Sequence, residues 1–137
     1  MREILFRGFA LRDIETEELP IGISKGQEIQ GQLVFNAGET YIVGELIEAT
    51  DEYIAVEYWI PVDAETVGQY TGLPDRNGTK IFEGDIVEHQ EERCTVHFNE
   101  GCFWVTDDDC TSTMSEFYPI DLEVIGNVHD NPEEARE

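Results

Sequence analysis

QYTGLPDRNGTKIFEGDIV, residues 69–87, is the stretch that decides the fold, because it combines chain reversals with the start of a strand. Pro74 fixes a backbone angle that suits a turn, and the pair Asn77-Gly78 tolerates the positive φ of a tight reversal. Ile81-Phe82 then provides two apolar anchors before a strand restarts at Asp85. We therefore predict a sharp corner that leads into a β-strand, and not an active loop.

Short strands are predicted on the C-terminal side of this corner. The apolar patterns indicate strands at residues 85–89, 93–99 and 102–106, the last two joined by Glu100-Gly101, and a final strand at 121–128. Strands that repeat about every eight residues are typical of a small barrel or sandwich and not of a parallel sheet.

The N-terminal half also reads as strands and turns. Residues 2–9 alternate charged and apolar side chains, which predicts a half-buried strand with Ile4 and Phe6 on one face and Glu3, Leu5 and Arg7 on the other. Residues 10–28 are polar and irregular, so we expect a long loop or a short helical turn near residues 13–19.

Two further apolar regions complete the N-terminal half. The runs IQGQLVF from Ile29 and TYIVGELI from Thr40 flank residues 36–39, which have the length and composition of a hairpin loop. Residues 53–62, YIAVEYWIPV, predict one strand whose end is marked by Pro61. Because no stretch has sustained helical periodicity, the chain is predicted to be all-β.

Length and composition limit the architecture. The chain has 137 residues, of which 40% are hydrophobic, enough for one domain with a core of modest depth. We predict a single domain over residues 1–137, with a softer subdivision at residues 63–65 into an N-terminal β extension, 1–64, and a second part, 65–137.

The charge balance is strongly negative. There are 31 acidic and 8 basic residues, a net charge of −23, and no Lys or Arg lies between Gly26 and Asp75. Binding to phosphate backbones needs clustered Lys and Arg, so the composition argues against direct nucleic-acid binding. The charge serves solubility, attraction to a basic protein, or imitation of a nucleic acid.

No metal or redox site is predicted. Cys94, Cys102 and Cys110 lack a C-x-x-C pattern, which favours a reducing cytoplasm. His89, Cys94, His97 and Cys102 superficially resemble zinc ligands, but strand alternation would point Cys94 and His97 to opposite faces. The N-terminus has neither a signal-peptide pattern nor an apolar run long enough to cross a membrane.

Catalytic and cofactor-binding residues are likewise not predicted. Asp75, Glu83 and Asp85 could form an acid–base set, but turn and strand-edge hydrogen bonding explains the same residues. The run at residues 107–109 lacks the glycine and distal glutamate of a calcium loop, and no serine lies in a G-x-S-x-G elbow.

Three segments together resemble a known family, the YopX-like proteins of phages and prophages. The resemblance rests on REILFRG from Arg2, ETVGQYTGLPDRNGTKIFEGDIV from Glu65 and DLEVIGNVHDNPE from Asp121. It implies an all-β protein with an SH3-like barrel in the C-terminal half that begins at residues 83–87. With the cysteine usage, it predicts a location in the cytoplasm of the bacterial host. It implies no assigned reaction, substrate or cofactor.

The functional hypothesis is a non-catalytic module that binds another protein of the host or phage. Tyr70, Phe103 and Trp104 are the candidate interaction surface, since SH3-like barrels bind peptides across aromatic grooves, although core packing explains most aromatic residues. The alternatives are an acidic nucleic-acid mimic and a small metal-dependent hydrolase. A homo-oligomer is a further prediction, because an exposed strand edge can pair with a second copy.

Overall fold

The computed structural model describes residues 3–15, 22–106, 111–113 and 121–130. Regular structure within these residues consists of thirteen β-strands and one 3₁₀ turn, which confirms the all-β prediction. The chain divides into two compact units, one of residues 4–69 and the other of residues 70–137 together with 1–3. The single-domain assignment and the subdivision at 64/65 stay predictions.

The N-terminal unit is built on an antiparallel sheet with the order β6-β3-β2-β1. The start of β7 pairs with β1, and β4 and β5 form a separate two-stranded sheet. The strands of this unit are β1 (Phe6–Phe9), β2 (Glu28–Asn36), β3 (Glu39–Val43), β4 (Leu46–Ala49), β5 (Ile54–Val56) and β6 (Trp59–Val62), followed by a 3₁₀ turn (Ala64–Thr66) and the start of β7 (Gly68–Pro74).

The predicted hairpin between the two apolar runs is confirmed. Ala37 and Gly38 connect β2 to β3 and both have positive φ, 53° and 81°, as a two-residue hairpin turn of type I′ requires. The strands behind this turn carry their apolar side chains to one core, whose buried members are Ala10, Ile29, Ile42, Ile60 and Val62.

The prediction of one strand over residues 53–62 is wrong. The chain forms β5 and β6 there, with a break at Glu57-Tyr58. Pro61 lies inside β6 instead of ending the strand. This is tolerated because β6 is last in the strand order, and the Pro61 carbonyl, with the position of the missing N–H, faces Leu11 and not β3.

The first strand also differs from its prediction. β1 begins at Phe6 and buries Arg7, which alternation had placed on the face opposite Phe6. The guanidinium lies 5.7 Å from the ring centroid of Phe9 and 3.4 Å from Glu28 Oε1. Within the predicted loop that follows, Ile14 pairs with Ile23, and the remainder of the helical turn predicted for 13–19 lies outside the described residues.

The C-terminal unit contains the rest of β7, which pairs with β8 (Lys80–Phe82), and a five-stranded antiparallel sheet. The sheet has the order β12 (Thr111–Thr113), β11 (Cys102–Thr106), β10 (Glu92–Asn99), β9 (Asp85–His89) and β13 (Glu123–Asn127). The predicted strands at 85–89, 93–99 and 102–106 are thus confirmed to within one residue. The SH3-like closure of this unit stays a prediction.

The corner predicted at residues 69–87 is confirmed, and Asp75 organises it. β7 ends at Pro74, Gly78 has φ of 86°, and the Asp75 N–H donates to the carbonyl of Thr79 at 2.7 Å. The buried Asp75 carboxylate accepts from the N–H groups of Asn77 and Thr79 through Oδ1, at 2.8 and 2.9 Å, and from the N–H of Val124 through Oδ2, at 2.9 Å. The side chain therefore ties the corner to β13.

Candidate interaction surface

Tyr70, the first of the predicted surface aromatics, is a core residue. Its side chain is 8% exposed, and its ring centroid lies 5.6 Å from that of Phe82. The Nζ of Lys80 lies 5.4 Å from the Tyr70 ring centroid, a cation–π geometry.

Phe103 and Trp104 are both half-buried and, as neighbours on β11, face opposite sides of the sheet. Phe103 packs against the core of its unit and meets the ring of Phe98 edge-on at 5.1 Å. The indole Nε1–H of Trp104 donates to the carbonyl of Asn99 at 2.8 Å. The structure therefore does not bring Tyr70, Phe103 and Trp104 together on one surface, and their use in binding stays a prediction.

Two of the three carboxylates considered for acid–base chemistry, Asp75 and Asp85, accept hydrogen bonds from backbone N–H groups. Besides the three bonds to Asp75, Oδ2 of the buried Asp85 accepts from the N–H of Phe82 at 2.7 Å. Such bonds explain why these residue types occur at a turn and a strand start, and the arrangement favours the structural role over the catalytic one.

The cysteine and histidine residues lie as strand alternation predicts. Cys94 is buried in the core of the C-terminal unit, whereas His97 pairs in register with Trp104 on the other face of β10. Across the described ranges, no three His, Cys, Asp or Glu side chains are placed to hold a metal ion. Residues 107–109, Cys110 and Ser115 lie outside the described residues.

The two-stranded sheet of β4 and β5, with the residues that flank it, exposes apolar side chains to an unusual extent. Ile47 and Ile54 are 67% and 70% exposed, and Leu46 and Tyr53 are more than half exposed. A cluster of exposed apolar side chains on one element marks an interaction site more often than single ones do. We call residues 45–57 the acidic hairpin, because carboxylates accompany the apolar groups.

The carboxylates are interspersed among the apolar side chains along the acidic hairpin. All five are exposed, and no Lys or Arg lies between Gly26 and Asp75 to neutralise them locally. These side chains are Glu45, Glu48, Asp51, Glu52 and Glu57. The hairpin is thus apolar and negatively charged at the same time.

Local hydrogen bonds keep the acidic hairpin in shape at both ends. At the tip, Thr50 Oγ1 accepts from the N–H of Glu52 and of Tyr53 at 3.2 Å. At the base, the N–H of Glu57 donates to the carbonyl of Glu45 at 2.9 Å, and the Glu45 N–H donates to Glu57 Oε1 at 2.9 Å. These bonds matter because a two-stranded hairpin is only marginally stable by itself.

A cavity of about 220 Å³ opens at the base of the acidic hairpin. We call it the hairpin-base cavity; its lining residues are Ile23, Gln27, Glu28, Ile29, Gln30, Tyr58 and Ile60. The Tyr58 hydroxyl donates to the carbonyl of Gln30. Burial, and then the charges of Glu57 and Glu45, raise the pKa of Tyr58, which keeps this hydroxyl protonated as a donor.

An aromatic pair, the half-buried Tyr41 and the exposed Trp59, lies on the sheet of the N-terminal unit. The rings of Tyr41 and Trp59 have centroids 5.4 Å apart. The Tyr41 hydroxyl donates to Glu39 Oε2 at 2.5 Å, and Arg12 Nη2 lies 3.2 Å from Glu39 Oε1. The pKa of Glu39 is lowered, first by the hydrogen bond from Tyr41 and then by Arg12. The pKa of Tyr41 is raised, first by the same hydrogen bond and then by desolvation and the charge of Glu39.

These two shifts predict a pH dependence with a definite sign. A raised Tyr41 pKa stabilises the fold below pH 10.0, and this contribution is lost as the pH rises through the raised value. A lowered Glu39 pKa stabilises the fold above pH 4.5, and this contribution is lost as the pH falls through the lowered value.

Glu39→Gln is expected to bring the pKa of Tyr41 down toward 10.0, because the negative partner of the phenol is removed while Arg12 still favours the phenolate. Titration of the ring resonances of isotopically labelled tyrosine measures this change. Glu48→Gln, an exposed carboxylate of the acidic hairpin, is the control and should leave Tyr41 unchanged. An unchanged Tyr41 pKa in Glu39→Gln would contradict the assignment.

Comparisons with known proteins identify a family and a solved structure that is similar in fold. A family model described as YopX protein matches residues 26–134. The crystal structure of protein EF1440 from Enterococcus faecalis is similar to this chain with a TM-score of 0.61 and 22% sequence identity, over 98% of this chain and 99% of that one. At this identity the likeness shows the fold alone. The comparison with curated proteins gave no match.

Proposed function

The chain belongs to the YopX protein family, and from that premise we propose that it is a non-catalytic module that binds a basic protein. Its setting would be the cytoplasm of a bacterial host, and the partner a protein of the host or of a phage. The observation that carries the proposal is the acidic hairpin, with exposed apolar side chains set among carboxylates.

The apolar side chains supply the affinity in this proposal. Leu46, Ile47 and Ile54 are each at least 60% exposed in the chain alone, so each has apolar surface that a partner could remove from water. Burial of an exposed Leu or Ile side chain is worth about 1.5–3 kcal/mol before the costs of association are subtracted. A few such side chains are enough to form the centre of an interface.

The charge supplies the choice of partner. Five carboxylates on the acidic hairpin, and a net charge of −23, repel acidic proteins and attract basic ones. A second copy of this chain would bring the same negative surface against itself. We therefore commit to a partner with an apolar patch surrounded by Lys and Arg; a homo-oligomer formed elsewhere on the chain stays a separate prediction.

The double substitution Ile47→Ser and Ile54→Ser is expected to reduce partner recovery at least about tenfold, since exposed apolar anchors dominate binding energy. The thermal midpoint should hardly move, because both side chains are exposed. Affinity capture from a host lysate, quantified by mass spectrometry, measures the loss.

Phe35→Ser is the matched control, because Phe35 is 73% exposed but lies on β2, outside the acidic hairpin. Recovery by this variant should equal that of the unsubstituted chain. A protein captured equally well by the double variant would overturn the proposal, as would recovery of nucleic acid or small metabolites alone.

A nucleic-acid mimic would use the same charges differently. Such a protein binds through carboxylates, so substitution of Glu45, Glu48 and Glu52 by Gln would abolish capture while the double Ile variant would retain it. The interleaving of apolar and acidic side chains on the acidic hairpin favours the opposite outcome, in which the Ile substitutions have the larger effect.

A further inference from the structure

We infer that the hairpin-base cavity receives one aliphatic or aromatic side chain from the basic partner that the acidic hairpin contacts. This inference rests on the proposed function and deepens it, because it specifies the partner segment as an apolar residue flanked by Lys or Arg.

The walls of the hairpin-base cavity select an apolar entrant. Ile29 and Ile60 are buried core residues, and Ile23 packs against the same core. The ring of Tyr58 supplies a further flat wall. An apolar side chain placed there leaves water without needing hydrogen bonds of its own.

Several polar groups of the lining form hydrogen bonds within the chain. Gln27 Oε1 accepts from the N–H of Ser24 at 3.1 Å, and Gln30 Nε2 donates to Glu28 Oε2 at 3.3 Å. The Tyr58 hydroxyl is bound to the carbonyl of Gln30. A polar ligand would have to compete with these bonds, whereas an apolar side chain leaves them in place.

The size of the hairpin-base cavity favours a side chain over a metabolite. Its volume is about 220 Å³, whereas sites for small molecules and cofactors span about 300–1,000 Å³. A single protruding side chain is a better match for a space of this size, and such anchors in preformed pockets are typical hot spots of protein interfaces.

Tyr58 connects the hairpin-base cavity to the acidic hairpin. It lines the cavity, and its carbonyl accepts from the N–H of Gly44 at 3.0 Å, directly at the hairpin base. The ring packs on the bare backbone of Gly44, where a Cβ would lie 2.7 Å from Cε2 of Tyr58. Because Tyr58 is bound at its hydroxyl and at its carbonyl, this wall of the cavity is already in place before a partner binds. The entropic cost of binding is therefore lower.

The charges around the opening determine what flanks the entering residue. Glu28 lines the cavity with its side chain 43% exposed, and Glu45 and Glu57 stand at the hairpin base. Lys or Arg on either side of the apolar residue would meet these carboxylates, while Asp or Glu would be repelled.

The test uses the whole chain and a random peptide library displayed on phage, selected on the immobilised protein. We expect enriched peptides to carry an apolar residue between basic ones. Their affinities are then measured by fluorescence anisotropy on four chains: the unsubstituted chain, Gln30→Trp, Gln32→Trp and the double variant Ile47→Ser with Ile54→Ser.

Gln30→Trp should weaken binding at least tenfold, about 1.4 kcal/mol, because Gln30 lines the cavity and a bulkier side chain at a lining position takes space that the entering residue needs. Gln32→Trp is the matched control: Gln32 is exposed on the same strand, two residues away, and does not line the cavity. On the unsubstituted chain, replacing the apolar residue of the peptide by Ser should weaken binding by the same factor. On Gln30→Trp, the same change in the peptide should weaken binding little further, as expected when both changes remove one contact.

The outcomes separate this inference from the proposed function. Equal affinity for Gln30→Trp and the unsubstituted chain, with loss on the double Ile variant, would overturn the cavity assignment and leave the proposed function standing. Equal affinity for all four chains would overturn both. Enrichment of peptides without an apolar residue, or of none, would overturn the cavity assignment.

Discussion

Asp75→Ala is expected to lower the free energy of unfolding of the C-terminal unit by about 3 kcal/mol or more. The substitution removes a carboxylate that is 5% exposed and accepts from three backbone N–H groups, those of Asn77, Thr79 and Val124. Each N–H left without a partner costs about 1–3 kcal/mol when water cannot reach it. The corner and its tie to β13 are lost together.

The two tryptophans make this measurement specific. Trp59 lies in the N-terminal unit and Trp104 in the C-terminal unit, and the chain has no others. Urea unfolding followed by the fluorescence of Trp104, in a Trp59→Phe background, therefore reports on the unit that contains Asp75. The midpoint should shift strongly to lower urea.

Two further variants test the role of the Asp75 carboxylate. Asp75→Asn should be intermediate, because an amide oxygen can keep the bonds to Asn77 and Thr79 while the amide nitrogen faces the N–H of Val124. Asp51→Ala, at an exposed carboxylate of the acidic hairpin, should change stability by no more than about 0.5 kcal/mol. A loss of under 1 kcal/mol in Asp75→Ala would show that water replaces the carboxylate.

Gly31→Ala is expected to destabilise the N-terminal unit by at least about 3 kcal/mol, or to prevent its folding. A Cβ at this position of β2 would lie 2.1 Å from the carbonyl oxygen of Val43 and 3.1 Å from Cγ2 of Ile42. The first contact is with backbone, so no rotamer change relieves it, and β2 and β3 would have to separate. The pairing of β2 with β3 forms the central hairpin of the sheet.

Urea unfolding followed by Trp59, in a Trp104→Phe background, measures the effect of Gly31→Ala. Gln32→Ala, one residue further along β2 and exposed, adds no such contact and removes one exposed hydrogen bond, from Nε2 to the carbonyl of Ile4; it serves as the control. A midpoint for Gly31→Ala equal to that of the control would mean that the two strands move apart at little cost.

Turn chemistry explains why much of the fold could be predicted. Asn77-Gly78 and the residues around Ala37-Gly38 specify their own backbone angles, so both reversals and the strands beside them follow from local sequence. The prediction failed at residues 53–62 because local propensity does not show where a strand stops pairing. Only the sheet order makes β6 an edge strand and so allows Pro61 inside it.

The candidate site was less predictable than the fold. The aromatic side chain of Tyr70 predicts a surface role, yet Tyr70 is buried, whereas Ile47 and Ile54 belong to apolar runs that predict core strands. The available signal was the density of Glu and Asp around these two residues, which is unusual for strands of a core. Residue type alone does not show which apolar side chains other parts of the chain will cover.

The amino-acid sequence by itself determined the all-β class, the reversals at residues 37–38 and 75–78, and the negative charge, because each depends on residues close together in the chain or on composition. The tertiary structure alone decided that Asp75 binds the N–H of Val124, 49 positions away, and that Ile23, Tyr58 and Ile60 enclose one cavity. It also decided that the acidic hairpin is left uncovered. Burial and long-range hydrogen bonds depend on which distant segments meet, and no local pattern carries that information.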